Sequence, residues 1–210
     1  MPEELMQSKE HWEKVYSSKQ ADEVSWFQQH AELSLKIIRE NDVPVDGQII
    51  DVGGGASTFV DDLIDNGYSE ITVLDLSAAA LEKAKTRLGA KASSVRWLEA
   101  DVLKADLPIN GYDVWHDRAV FHFLTSDTER HKYVQQVLRA VKPGGLVIVA
   151  TFAEDGPQTC SGLPVRRYST SALHSEFGKP FELLGSEPEL HLTPAGKQQK
   201  FVYCFCKRLA

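Results

Sequence analysis

The sequence predicts an α/β fold: a doubly wound, mostly parallel seven-stranded sheet with an antiparallel last strand and helices on both faces. Three observations carry this expectation. Short apolar runs alternate with stretches of helical periodicity from residue 48 to residue 152, which is the pattern of strands joined by crossover helices. The first run, Ile49-Ile-Asp-Val52, enters three consecutive glycines, Gly53, Gly54 and Gly55, and then a helix start. The fifth, Leu146-Val-Ile-Val-Ala-Thr-Phe152, is continuously apolar and rich in β-branched residues, as a strand buried on both faces requires.

The elements follow in chain order. Residues 8 to 40 read as helical, with Trp12, Val15 and Tyr16 on one face and Leu33, Leu35, Ile37 and Ile38 turned to a core. A polar break at Asp22-Glu-Val-Ser-Trp-Phe27 interrupts them and ends on two aromatics. After the glycine turn, Ser57 or Thr58 is available as an N-cap, and Phe59, Val60, Leu63 and Ile64 form an apolar helical face. Helices are expected over 58–66, 78–89 and 126–141, and strands at Ile71–Asp75, Val95–Glu99 and Gly111–Trp115. Lys142-Pro-Gly-Gly145 reads as a turn before the fifth strand. A loop over 153–168 holds Gly156-Pro157 and Gly162-Leu-Pro164, and a helix near 169–177 follows it. Two closing strands, about 181–187 and 200–206, are joined at Pro194-Ala-Gly196, a length that suits a hairpin and an antiparallel strand. One domain over 1–210 is expected, with an N-terminal segment 1–40, a core 48–152 and a closing part 153–210.

The glycine turn carries chemistry. Without Cβ atoms, main chain at the carboxyl edge of a parallel sheet can approach a nucleotide-like ligand. Asp75 ends the second strand about twenty positions past Gly55, where a carboxylate accepts from both hydroxyls of a ribose. Dinucleotides and S-adenosylmethionine both fit these two features. The dinucleotide fingerprint asks for a third glycine where this chain has Thr58. Asp51 would also repel a pyrophosphate, whereas it attracts the ammonium of a methionine moiety. The charge argument favours the methyl donor. Asp101, after the third strand, is placed to accept from the exocyclic amine of adenine, and the N–H of Val102 to meet a ring nitrogen.

As an ordered set, these parts resemble the class I S-adenosylmethionine-dependent methyltransferases over essentially the whole chain. The resemblance implies S-adenosylmethionine as cofactor and S-adenosylhomocysteine as product. Asp51, Gly53 and Gly55 match the first motif of that family, although Ser57 stands where a third alternating glycine is common. Asp75 matches the ribose acid, Leu76 is expected against adenine, and Asp101 and Val102 match the adenine edge. His116, Asp117 and Arg118 match the segment after the fourth strand, whose backbone faces the methionine part. His11-Trp12-Glu-Lys-Val-Tyr16 and Ser25-Trp26-Phe27 resemble the opening of thiopurine methyltransferases and some protein-lysine methyltransferases, where this segment closes over the cofactor. Trp12 is accordingly a candidate cofactor contact, with a core role as the competing reading. Asp117-Arg118-Ala119-Val120 resembles citrate synthase-type lysine methyltransferases, with Ala119 and Val120 replacing the usual glycine and threonine.

A sulfonium donor is already activated, so positioning in a dry pocket supplies most of the rate. A general base matters only for a protonated acceptor of high pKa. His116, Asp117 and His122 are the candidates; a histidine merely hydrogen-bonded at a helix start is the alternative for His122. Arg118 is expected to pair with Asp117, with steering of an anionic substrate as the competing reading. Cys160 reads as a structural or surface cysteine, with an acceptor-site role as the alternative, and Arg166 and Tyr168 share its loop as candidate acceptor contacts. The favoured acceptor is a small molecule, a thiol or other soft nucleophile. The alternatives are lysine on a protein partner, an NAD-dependent oxidoreductase and a non-catalytic S-adenosylmethionine-binding protein.

Bulk properties set limits. With 42% apolar and 25% charged residues the composition is that of a soluble globular protein. A net charge of −7 disfavours nucleic-acid substrates, and no apolar run approaches membrane-spanning length. The start Met1-Pro-Glu-Glu-Leu-Met6 has no secretory pattern. Cys160, Cys204 and Cys206 match neither a disulfide framework nor a zinc spacing, so no metal is expected, and a reduced, cytoplasmic compartment is. Oligomeric state is left open.

Overall fold

The computed structural model describes residues 9–18 and 20–210. Residues 1–8, on which the expected absence of a secretory pattern rests, and Lys19 lie outside the described residues.

Seven strands form one sheet in the order β3-β2-β1-β4-β5-β9-β8. Five run parallel: β1 (Ile49–Val52), β2 (Ile71–Asp75), β3 (Val95–Glu99), β4 (Tyr112–Arg118) and β5 (Val141–Phe152). The last strand, β9 (Gln198–Arg208), is antiparallel to β5 and to the edge strand β8 (Phe181–Leu192), in agreement with the expected closing hairpin. Its turn forms where expected, with Gly196 N–H donating to the Thr193 carbonyl. A small hairpin, β6 (Thr159–Cys160) with β7 (Leu163–Pro164), occupies the loop after β5. Among the described residues no helix is long and apolar enough to cross a membrane.

Alternation along the strands builds two cores. On one face Ile49, Val73, Val114 and Ile148 meet α2 (Glu32–Glu40), α3 (Phe59–Asp65) and α4 (Ala78–Leu88) through Ile38, Leu63 and Leu81. On the other face Ile50, Leu74, Trp115 and Val147 meet α5 (Asp127–Ala140) and α6 (Thr170–Phe177) through Tyr133, Val137, Leu173 and Phe177. Ser77, Ser126 and Ser169 cap α4, α5 and α6 by accepting from main-chain N–H groups of the first turn.

The break expected at Asp22–Phe27 is present: α1 (Lys9–Ser18) and α2 are separated by a short 3-10 helix at Ala21–Glu23 and a turn closed by the Phe27 N–H donating to the Val24 carbonyl. Two boundaries differ from the sequence reading. β4 runs on through His116-Asp117-Arg118, because Asp117 and Arg118 remain in register with Val149 and Ala150 of β5. β5 begins at Val141, paired with Tyr112, and the Pro143-Gly144-Gly145 turn becomes an irregularity inside the strand.

Strand order reverses between β1 and β4. In an open α/β sheet, that crevice at the carboxyl ends of the strands is where ligands bind.

Candidate active site

Two adjoining cavities open at this switch point. The first, about 750 Å3 with open solvent included, is lined by Asp75, Leu76, Asp101 and Val102 and by Trp12, Phe123 and Cys160. The second, about 540 Å3, is lined by Asp51, Gly54, Ser57, Phe59 and His116. Tyr16, Trp26, Val52, Gly53 and Arg118 border both.

The glycines are required by their neighbours as much as by a ligand. Gly53 has φ +69°, and a Cβ there would lie 2.1 Å from Val120 Cγ2. A Cβ on Gly55 would lie 2.4 Å from Asp75 Oδ2. Gly55 lines neither cavity; it leaves room for the Asp75 carboxylate.

The three acids near the strand ends sit in different environments. Asp51 is buried; its Oδ1 lies 2.7 Å from His116 Nδ1, and its Oδ2 has no partner. A buried carboxylate oxygen left unpaired on a cavity wall calls for a donor from a ligand. Asp75 Oδ1 accepts from the Ser77 N–H at 2.8 Å. Burial pushes the Asp75 carboxyl up to about 7, against that hydrogen bond and aided by the charge of Asp51. Asp101 accepts from the Leu103 N–H at 2.9 Å and pairs with Lys104 near the surface.

Strand geometry separates Asp117 from Arg118, which the sequence reading paired. Neighbours on a strand point to opposite faces. Asp117 turns into the second core, where it accepts from the N–H groups of Val120 and Phe121 and from the Tyr133 hydroxyl. Burial raises its carboxyl to about 6, and those hydrogen bonds oppose the rise. Asp117 therefore shapes the turn Ala119-Val120-Phe121 under the cavity and lines neither cavity itself. Arg118 points the other way and pairs with Glu189 of β8 at 2.8 Å, its Nη1 donating to the Trp26 carbonyl and its Nε to the Tyr203 hydroxyl.

His122, also expected among the bases, lines neither cavity. Its ring is fully buried against Phe123 and Phe152, and neither nitrogen has a partner. Burial, with the nearby Arg118 charge, lowers it to about 3. Cys160 borders the first cavity as a neutral thiol, pushed up to about 12 by burial.

The N-terminal segment lies across the cavities. Trp12 sits edge-on to Trp26 at 5.9 Å and to Phe123 at 5.2 Å, so its cavity-lining and core roles coincide. The Glu13 carboxylate accepts from the N–H groups of Ala78 and Ala79, which docks α1 on the start of α4. Residues 25–28 are tied down by His191 donating to the Ser25 carbonyl, Arg118 to that of Trp26, Gln28 to Glu189, and Thr58 to the Gln28 carbonyl. Thr58 thus stands at the N-cap of α3 but spends its hydroxyl on this segment. Nothing in the periodicity marks Glu189 or Glu13 for these roles; Ser34, a hydroxyl on the apolar stripe of α2, is the one visible signal.

A family model described as a methyltransferase domain matches residues 49–145, from the start of β1 into β5. The chain carries a methyltransferase domain of the S-adenosylmethionine-dependent kind. This methyltransferase is 21% identical to human EEF1A lysine methyltransferase 2 over 195 residues, covering 86% of this chain and 77% of that protein. It is 32% identical over 111 residues to an uncharacterized methyltransferase of Mycobacterium tuberculosis, covering 52% of this chain and 53% of that one. Among solved structures it shares a fold with one titled for the conversion of a disulfide bond into a thioacetal group during echinomycin biosynthesis. That likeness has a TM-score of 0.79 and 17% identity, and covers 96% of this chain and 92% of the other. The domain match and the methyltransferase relatives set aside the oxidoreductase alternative, and S-adenosylmethionine is the cofactor of the methyltransferase.

Proposed function

We propose that this methyltransferase transfers the methyl group to a small acceptor that attacks as a soft nucleophile, such as a thiolate, without help from a protein base. The observation that carries this is the wall shared by the two cavities. It consists of Tyr16, Trp26, Val52, Gly53 and Arg118, with Trp12, Phe123 and Cys160 beside it. None of these groups takes a proton near neutral pH: burial raises the Tyr16 hydroxyl well above 10 and the Cys160 thiol to about 12, and Arg118 is held charged by Glu189. An acceptor that needs no deprotonation in the site suits such a wall.

The residues fit the donor. Asp51 Oδ2, buried and unpartnered, suits its ammonium, and Gly53 offers main chain beside the amino-acid part. Asp75 suits the ribose hydroxyls, Leu76 the adenine face, and Asp101 with Val102 the adenine edge. When bound, the cofactor supplies a methyl group on a positively charged sulfur. The chain then binds, orients and excludes water: Trp12, Tyr16, Trp26 and Phe123 close the reacting end, and the latch from Arg118 to the Trp26 carbonyl keeps the segment in place. On this reading His116, Asp117 and His122 serve orientation and packing rather than proton transfer.

A second reading, methylation of lysine on a protein, is favoured by the name of the human relative. Incubation with methyl-labelled donor, a panel of small thiols and amines, and cell lysate separates the two. Label on small thiols supports the first reading; label confined to protein lysines contradicts it.

A further inference from the structure

We propose that His116, fixed in one tautomer by Ser34, is a positioning residue that locks the Asp51 carboxylate for the amino group of the donor; this rests on the donor site proposed above. Asp51 and His116 are register partners on β1 and β4 and point to the same face of the sheet. The imidazole is buried and packs on the Phe59 ring at 4.2 Å, so its plane is held. Its Nδ1 lies 2.7 Å from Asp51 Oδ1. A carboxylate only accepts, so Nδ1 carries the hydrogen and donates. In the neutral ring Nε2 is then an acceptor, and Ser34 Oγ lies 2.8 Å from it.

Ser34 is fully buried on α2, on the face that carries Leu35, Ile37 and Ile38. A hydroxyl placed there costs free energy unless it bonds. With Nε2 an acceptor, the Ser34 hydrogen is directed to His116 at 2.8 Å rather than to the Tyr203 hydroxyl at 3.5 Å. In this arrangement Ser34 donates to His116, and His116 to Asp51.

The consequence is a division of labour between the two oxygens of one carboxylate. Oδ1 is spent inside the protein, while Oδ2 has no partner among the described residues and belongs to a side chain that lines the second cavity. Removing the ring frees the carboxylate to rotate, and an amino group bound there meets a less ordered acceptor. Both ring nitrogens are engaged, so the same geometry leaves His116 no free lone pair with which to accept a proton from a substrate.

The test compares two ligands on the full chain by calorimetry: S-adenosylhomocysteine, and 5′-methylthioadenosine, which keeps the adenosine and sulfur but lacks the amino-acid part. Ser34→Ala and His116→Leu are expected to weaken S-adenosylhomocysteine about tenfold, the size of one lost hydrogen bond near a charge, and methylthioadenosine less than about twofold. His116→Asn, whose amide still donates toward Asp51, is expected to recover most of the affinity. Ser34→Ala removes a single atom and carries the test if His116→Leu does not fold. Equal losses for both ligands would make the pair merely structural and overturn the proposal. Unchanged S-adenosylhomocysteine affinity with lost turnover would make His116 a base and overturn it too. A wild-type chain that binds neither ligand would instead sink the donor site on which the proposal rests.

Discussion

Acidification should weaken donor binding through Asp75. The ribose hydroxyls donate, so they need the ionised carboxylate, yet burial holds this carboxyl near 7 in the ligand-free chain. At pH 6 about nine molecules in ten carry the proton and must lose it on binding; at pH 8 about one in ten does. The dissociation constant for S-adenosylhomocysteine should therefore rise about tenfold from pH 8 to pH 6, with about 0.9 proton released per binding event at pH 6. Calorimetry in buffers of different ionisation enthalpy reads both quantities. Asp75→Asn should bind weakly at pH 8 and show a flat profile. The linked stability has the opposite sense. A carboxyl raised from 3.8 to about 7 contributes stability that is full below about pH 4 and is lost as pH rises through 7, so the ligand-free Tm should fall across that window. A dissociation constant that is flat between pH 6 and 8, or that tightens on acidification, would refute the reasoning.

Three further outcomes follow from single side chains. Gly53→Ala places a Cβ 2.1 Å from Val120 Cγ2 at a left-handed φ, and should cost about 1–2 kcal/mol in urea unfolding and more than roughly tenfold in donor affinity; wild-type values for both would contradict the account. Ala119 holds φ +74° without being glycine, so Ala119→Gly should raise the urea midpoint by up to about 1 kcal/mol of stability, and a lower midpoint would show the position is unstrained. Arg118→Leu leaves the half-buried Glu189 without its cation and frees the Trp26 carbonyl. It should cost about 2–3 kcal/mol and expose residues 20–31 to limited proteolysis, whereas an unchanged digestion pattern would remove the latch.

The crevice was legible because its signals are local. Ile49–Gly55, Asp75 and Asp101 announce a strand end, a bare turn and an acid within a few residues each. Asp75, Leu76, Asp101 and Val102 share one cavity, and Asp51 and His116 the other. What stayed hidden depends on contacts between distant residues. Arg118 finds Glu189 seventy-one positions away on β8, and spacing along the chain says nothing of that pairing. The expected Asp117–Arg118 pair fails for the opposite reason: residues adjacent in sequence are on opposite faces once the strand extends through them. His122 looks like a pocket residue between two phenylalanines, but the short helical turn Phe121–Phe123 brings Phe123 to the cavity and turns His122 into the core.

A crystal structure with S-adenosylhomocysteine bound would be the most direct trial of the whole scheme. The nucleoside should span both cavities, its sugar hydroxyls on Asp75 and its amine on Asp51 Oδ2 with the His116 contact intact. A ligand seated with its sugar beyond hydrogen-bond reach of Asp75, or with its amine on any other group, would contradict it.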